Sequence, residues 1–424
     1  MAKVEEVVIV GGGIAGLATA VALQRVGRRD IVVLEGHSEL RATGAAISIF
    51  PNGWYALSAL GVAHKLEPYY LPFQISRITD LATGDTQELY FAGSAHRGEA
   101  GVRAMHRKAL LEALAEELPP GTIRFCSKVA SIKSGGSLNF TSLHLEDGSI
   151  IRAKLLIGCD GVHSVVAQWL GLSAPISSGR SAVRGLAVFP EGHGLETVFR
   201  QYLGEGIRAG YVPLNSKEVY WFLINYSTSS EREIAGRPEL ILREVTENLA
   251  RGFPSDYADV VRRSDPATLT WAPLSLRAPW AVLLRRAHLP LPTRVGANAN
   301  AAAAATVAGD AFHAMTPDTA QGGSAALEDA VALARCVGAD AGGGGAGPGR
   351  GGEVRGGAAV ARGGARGGSL RGGVGPAGRR RRWGPRRVWA WLVKWFRDWV
   401  FYRFIFPRIL DAAWYNCGDL TPPE

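Results

Sequence analysis

Val7-Val8-Ile9-Val10-Gly11-Gly12-Gly13-Ile14-Ala15-Gly16 decides the fold, because an apolar run ends there in a glycine turn that opens a helix. Four apolar residues in succession read as a buried strand, and Ile14–Val26 carries helical periodicity. Ile31–Leu34 supplies a second apolar strand that closes on Glu35, 19 residues after Gly16. Residues 6–35 therefore form a βαβ unit. Gly11 allows the tight turn, Gly13 lets the backbone approach a pyrophosphate, and Gly16 lets helix and strand pack closely. The first helical turn, around Ala15, offers free N–H groups and a positive dipole to phosphates. Glu35, with Gly36 beside it, can accept the ribose hydroxyls of an adenosine. The unit binds a dinucleotide, but by itself it does not separate FAD from NAD.

Outward from this unit, helices are expected over Asn52–Leu60 and Arg107–Leu118. Short strands with turn signals such as Asp147-Gly148 fill 122–156. Residues 182–224 alternate apolar and polar, as in Val219-Tyr220-Trp221-Phe222-Leu223, which predicts a mostly antiparallel sheet. Two helices are expected at 231–250 and 254–263, a last strand at Thr306-Val307-Ala308, and a long helix from Gly322 to Val337.

The net charge of +9 is local. Between Ala339 and Arg387 stand eleven arginines, no lysine and two acids (Asp340, Glu353), which equals the net charge of the whole chain. The basic balance thus describes one Gly/Ala/Arg segment and not the folded body. Cys126, Cys159, Cys336 and Cys417 are scattered without CxxC spacing, which argues against disulfides or a metal site and fits a reducing, cytoplasmic compartment. No signal or transit peptide is visible.

Two further motifs narrow the cofactor. Gly158-Cys159-Asp160-Gly161 closes a strand, and Gly309-Asp310-Ala311-Phe312-His313 closes another ahead of Pro317-Asp318 and Gln321-Gly322-Gly323. With these three ordered motifs the chain resembles the single-component aromatic-ring flavin hydroxylases, the salicylate- and para-hydroxybenzoate-hydroxylase-like family. Within that family it is most similar to the plant monooxygenases and FAD-dependent urate hydroxylase. The resemblance covers roughly 6–338 and 388–420, and it implies an α/β fold. A Rossmann-type FAD-binding domain (1–73, 101–175, 300–338) would carry an inserted α+β substrate domain on a mostly antiparallel sheet (74–100, 176–299).

By this resemblance Asp310 would hydrogen-bond the ribityl chain. The helix after Gln321, at Gly322 and Gly323, would point its dipole at the flavin N1–C2 region. Asp160 would lie by the pyrophosphate, Arg107 would contact FAD, Val129 would meet adenine through its backbone, and Ser48 would lie beside the cofactor. Arg208, Tyr220 and Asp318 match substrate positions of urate hydroxylase and suit a planar, anionic aromatic or heteroaromatic substrate. Read from the residues alone, Arg107 and Arg208 are equally solvated charges, Tyr220 is a sheet-packing aromatic, and His163 and His313 are structural. The implied reaction has NAD(P)H reduce FAD, which captures O2 as a C4a-hydroperoxide that hydroxylates the ring. No Trp-x-Trp-x-Ile-Pro halogenase signature is present.

The chain also departs from the family. Ala167 stands where many relatives have arginine, and Ala320 stands where glycine is usual, which matters if that position needs φ > 0. Ala297–Ala305 is an Ala/Asn run of no evident purpose. Residues 339–387 lack apolar periodicity and cannot build a core. They read either as an Arg-Gly segment that binds RNA or as the product of two compensating frame errors, the second preferred because aromatics are missing until Trp383. A catalytically impaired flavoprotein is the matching alternative function. Val388–Phe406 returns to an aromatic, helix-like pattern, interrupted by Lys394, Arg397, Asp398 and Arg403 too often for a membrane span. Packing on the body is expected ahead of contact with a membrane surface.

Overall fold

A computed structural model describes residues 3–40, 45–91, 101–134, 140–228, 231–278, 304–339 and 413–420. Most of the Ala/Asn run, nearly all of the Gly/Ala/Arg tract and the aromatic stretch Val388–Phe406 lie outside the described residues.

The chain starts with β1 (Val4–Val10), α1 (Ile14–Arg25), β2 (Ile31–Leu34), β3 (Ala46–Ile49), α2 (Pro51–Ala59) and α3 (Ala63–Leu66). A hairpin of β4 (Ile75–Asp80) and β5 (Thr86–Tyr90) follows, then β6 (Arg103–His106) and α4 (Arg107–Ala115). Next come β7 (Ile123–Arg124), β8 (Val129–Ser134), β9 (Thr141–Leu145), β10 (Ile150–Gly158) and α5 (Val165–Trp169). The long strands β11 (Ile176–Val188), β12 (Phe199–Gly204), β13 (Ile207–Pro213) and β14 (Glu218–Tyr226) precede α6 (Glu231–Ile234), α7 (Pro238–Glu244) and α8 (Ser255–Arg262). The chain then forms β15 (Thr270–Leu276), β16 (Ala304–Val307), α9 (Asp310–His313) and α10 (Gly322–Ala339).

The first sheet runs β7-β2-β1-β10-β9-β8, with β16 also on β10. Its centre is parallel: β1 pairs with both β2 and β10, and β10 pairs with β16. Both faces of β1 are covered. Val7 and Ile9 pack with Leu17, Val21 and Leu327 of the helices, while Val8 and Val10 pack on the other side with Leu156 and Val166. This two-sided burial is why the strand reads as an unbroken apolar run. Helix α10 lies against both α1 and α2, so the last helix closes the layer that the first one opened.

The second sheet runs β15-β11-β14-β13-β12-β4-β5, antiparallel except where β12 meets β4. Here the period of two governs. Val183, Ala209, Tyr211, Val219, Trp221 and Leu223 face α7 and α8, against Ile241, Tyr257 and Val261. On the opposite face Leu186 of β11, Val212 of β13 and Tyr220 of β14 cluster with Ala46 of β3 and Ala104 of β6. Beside them β3 and β6 form a two-stranded ribbon.

The single helix expected over 231–250 is instead broken into α6, α7 and a π turn at Val245–Leu249. The cause is local. Gly236 has φ 79°, and Arg237 precedes Pro238, which drives it to the extended φ −117°. Helix α4 ends at Ala115 and not at Leu118, and the last strand is Ala304–Val307.

Candidate active site

The glycine turn leaves β1 with Gly11 at φ 104°, its N–H bonded to the Leu34 carbonyl at 2.8 Å. A Cβ at Gly16 would overlap the Gly11 carbonyl oxygen, so helix and turn touch backbone to backbone. A Cβ at Gly13 would meet no protein atom within 4 Å, because it faces a cavity. Gly13 caps α1 without a side-chain hydrogen bond, and no acid stands in the first turn. The leading N–H groups of α1 are therefore directed to whatever fills that cavity.

The cavity measures about 640 Å³ and runs between the two sheets. Gly11, Gly13, Ala15, Glu35, Gly36, Ser48, Arg107, Val129, Asp160, Asp310, Gly322 and Gly323 line it at one end. Glu35 organises the turn: its Oε2 accepts from Gly12 N at 2.8 Å and its Oε1 from His37 N at 2.9 Å. Asp160 caps α5, accepting from Val165 N at 2.7 Å, while Ser164 Oγ accepts from Ala167 N at 2.8 Å. Its other oxygen, Oδ1, is buried with no partner among the described residues. Burial raises the Asp160 pKa, and does the same for Asp310, where the charges of His313 and Arg107 oppose it.

Behind Asp310, Asp329 Oδ2 accepts from Gly309 N at 2.8 Å and lies 2.6 Å from His313 Nε2. The histidine is thus a tie beneath the Gly309-Asp310 turn. Gln321 does not line the cavity. It is 2% exposed, and its Oε1 accepts from Asn52 Nδ2 at 3.2 Å, which turns the side chain toward α2. Asn52 Nδ2 also donates to Glu328 Oε2 at 3.0 Å, and burial pushes the Glu328 pKa up to about 7.

At the other end the wall is made of side chains: Arg184, Phe199, Arg208, Val212, Tyr220, Phe222 and Ile224, with Met315, Pro317 and Ala320 from the loop ahead of α10. The Tyr220 and Phe222 rings stack at 6.5 Å with an interplanar angle of 26°. Burial raises the Tyr220 pKa, against the nearby charge of Arg184. Arg208 donates to Gln201 Oε1 at 2.6 and 3.1 Å and to the Asp318 carbonyl at 2.9 Å. Asp318 is absent from the cavity wall. Arg180 grips it at 3.0 and 2.5 Å, and Thr316 donates to it at 2.7 Å. Burial alone would raise its pKa, but the two arginines hold it below the usual range.

Sequence reasoning missed Arg184, Phe199 and Ile224 on the wall and Arg180 behind Asp318. The alternation through Tyr220 and Phe222 was the signal for Ile224, and by cross-strand pairing for Arg184. Ala320 has φ 53°, the left-handed conformation that favours glycine.

This arrangement, a parallel sheet presenting a glycine turn and a second sheet closing over it, defines a dinucleotide-binding oxidoreductase fold. The FAD binding domain family model matches residues 5–264, and the chain belongs to that family. Monooxygenase 2 of Arabidopsis thaliana is 41% identical over 334 residues, covering 78% of this chain and 77% of that protein. The FAD-dependent urate hydroxylase of Mycolicibacterium vanbaalenii is 28% identical over 333 residues, 77% and 78% of the two chains. Klebsiella pneumoniae HpxO, complexed with FAD and uric acid, shares the fold at TM-score 0.67 and 21% identity over 96% of each chain. The protein is an FAD-dependent monooxygenase.

The residues present fit FAD: open space over Gly13, the unpartnered Oδ1 of Asp160 and two helix N-termini on one cavity. Among the described residues no group of His, Cys, Asp and Glu could hold a metal ion, and no helix is long and apolar enough to cross a membrane.

Proposed function

We propose that this monooxygenase uses NAD(P)H and O2 to hydroxylate a small aromatic or heteroaromatic compound. The observation that supports the reading is one cavity whose wall includes both Gly13 and Tyr220. Bound FAD would supply electron transfer from NAD(P)H and the activation of O2. In this reading residues 1–73, 101–175 and 300–338 hold the cofactor and 74–100 with 176–299 hold the substrate. The free cysteines are in keeping with a reducing, cytoplasmic setting.

The chain's own residues divide the work. The N–H groups at Gly13 to Ala15 meet the pyrophosphate, with Glu35, Gly36 and Val129 at the adenosine end. Arg107, Asp310 and Ser48 line the same end, and the N-terminus of α10 at Gly322 and Gly323 stabilises negative charge that develops opposite it. The phenol of Tyr220, kept protonated by burial, can donate to a ring oxygen or nitrogen. Arg208 is held rigid by Gln201 and by the Asp318 carbonyl, so Asp318 reaches the substrate only through the arginine. Phe199, Val212, Phe222 and Ile224 exclude water from the ring.

The test is to purify the protein, read its flavin spectrum, and follow NAD(P)H oxidation and hydroxylated product with a panel of aromatics. Bound flavin and ring-stimulated oxidation coupled to product are expected. Absence of FAD after gentle purification overturns the reading. Flavin with no stimulated oxidation points instead to an impaired flavoprotein.

A further inference from the structure

Helix α10 turns different residues to its two neighbours. Gly322, Gly323 and Ala326 line the cavity. Gln321, Ser324 and Glu328, spaced as i, i+3 and i+7, are all buried and meet α2. The Gln321 carbonyl accepts from Ala325 N at 2.9 Å, so the helix starts on this residue. The first turn of α2 answers group by group. Phe50 N donates to Ser324 Oγ at 3.1 Å, and a Cβ on Gly53 would stand 2.8 Å from Ser324 Cα. Between them Asn52 Nδ2 donates to Gln321 Oε1 at 3.2 Å and to Glu328 Oε2 at 3.0 Å. One amide thus ties the start of α10 to a point about two turns further along it. Asn52 is itself fixed, fully buried, with its backbone N–H on the Ala413 carbonyl at 2.8 Å. Packing alone does not ask for this bridge. Leu57, Leu327, Ala330 and Val331 make the surrounding layer apolar, and aliphatic side chains there would avoid the cost of burying an amide and a carboxylate. What the bridge supplies is direction. It holds the leading N–H groups at Gly322 and Gly323 on one bearing, and the effect of a helix terminus fades within a single turn.

We propose that Asn52 is a positioning residue for the flavin: through Gln321 and Glu328 it sets the angle of α10, and with it the stabilisation that the helix N-terminus gives to the reduced cofactor. Asn52 does not line the cavity, so it acts only through the helix. The assignment rests on the reading given above, in which that N-terminus stands opposite developing negative charge.

The reduction potential of the bound flavin is measured on the FAD-loaded enzyme at about pH 8, by slow anaerobic reduction against a reference dye. That pH lies above the value of about 7 to which burial pushes Glu328, so its carboxylate is there to accept the bridge. Asn52→Ala should leave the reduced flavin about tenfold less favoured, a fall of about 30 mV for a two-electron couple. Glu328→Gln keeps an acceptor for Asn52 without the charge, and its potential should not fall below that of the unaltered enzyme. Asn52→Asp combined with Glu328→Gln rebuilds the bridge with donor and acceptor exchanged, and should restore the unaltered potential. Should Asn52→Ala fail to fold, Gln321→Leu, which severs only the contact at the helix start, should give the same fall. Three results overturn the proposal: a potential unmoved or raised when the bridge is cut, an equal fall in Glu328→Gln, or an exchanged pair as low as the cut bridge. A loss of thermal stability with the potential unmoved belongs to the first of these and marks a merely structural contact. All three leave the monooxygenase reading standing, whereas an unaltered protein that holds no FAD sinks both.

Discussion

The two ends of the cavity are built from different materials. The cofactor end is mostly backbone: a glycine turn, two helix N-termini, and carboxylates that spend their hydrogen bonds on nearby N–H groups, as Glu35 does on Gly12 and Asp160 on Val165. The end proposed for the substrate is side chain: two arginines, a tyrosine and apolar residues projecting from one face of an antiparallel sheet. Backbone geometry tolerates almost no substitution, whereas a sheet face can be repainted residue by residue without disturbing its register. One scaffold can thus keep its cofactor while its substrate changes.

The largest expected effect tests the backbone half. Gly16→Ala places a methyl on the Gly11 carbonyl, where nothing flexible can yield. We expect a loss of about 3 kcal/mol or more in stability and a protein purified without flavin. Gly13→Ala should behave differently, since its methyl meets no protein atom within 4 Å. Thermal unfolding of the flavin-free protein should change by less than about 1 kcal/mol, while FAD affinity falls at least tenfold. Equal flavin retention in Gly13→Ala and the unaltered chain would remove the turn from the cofactor site.

The His313–Asp329 tie should be the next largest contribution. Burial by itself would depress the imidazole, but Asp329 at 2.6 Å, with Asp310 nearby, raises its pKa from 6.5 to about 9. The folded value is the higher one, so the stabilisation is complete below pH 6.5 and is lost as pH rises through 9. Denaturant unfolding should therefore show roughly 3 kcal/mol less stability at the alkaline end of that window. His313→Gln should flatten the profile. A profile identical in both proteins would mean that the pair carries no charge.

The same contrast explains what could be read in advance. Gly11 to Gly16, Glu35, Asp160 and Asp310 answer to geometry set within a few residues of each, so their motifs locate them on the cavity wall. The broken helix at 236–238 was equally local, a glycine followed by Arg237-Pro238, yet the helical period on either side masked it. Gln321 and Asp318 were expected at the cofactor and the substrate, but partners far away in sequence orient them: Asn52 turns the first away, and Arg180 holds the second. No local pattern encodes either contact. Arg184 lies in the alternating pattern, but alternation names a face without saying what the face looks upon.

Ala320 lies where the two ends meet, in the loop that carries the chain from the substrate wall into α10. Its φ of 53° places a Cβ in the left-handed region, which costs about 1 kcal/mol. Ala320→Gly removes that strain but adds freedom to the unfolded chain, so a net gain of about 0.5 kcal/mol is expected from thermal unfolding. A loss would show that its packing beside Phe50 and Val212 outweighs the strain.

Asp318 should give the smallest effect, and it decides what joins the ends. Its carboxylate is 39% exposed, so its ion pairs with Arg180 and Arg208 are screened by solvent. Asp318→Asn keeps an acceptor for Arg180 and Thr316 but removes the charge shared by both arginines. A loss of about 0.5 kcal/mol is expected, smaller still at high salt. Because the arginines lower the Asp318 pKa, this stabilisation is present above the carboxylate's ordinary value and fades as pH falls below it. If Asp318 were instead the base that takes a proton from the substrate, the asparagine variant would lose turnover by 10²-fold or more while its stability stayed the same. An ion pair predicts the reverse: nearly unchanged turnover, a salt-sensitive loss of stability, and Arg208 freed to strengthen the binding of anions.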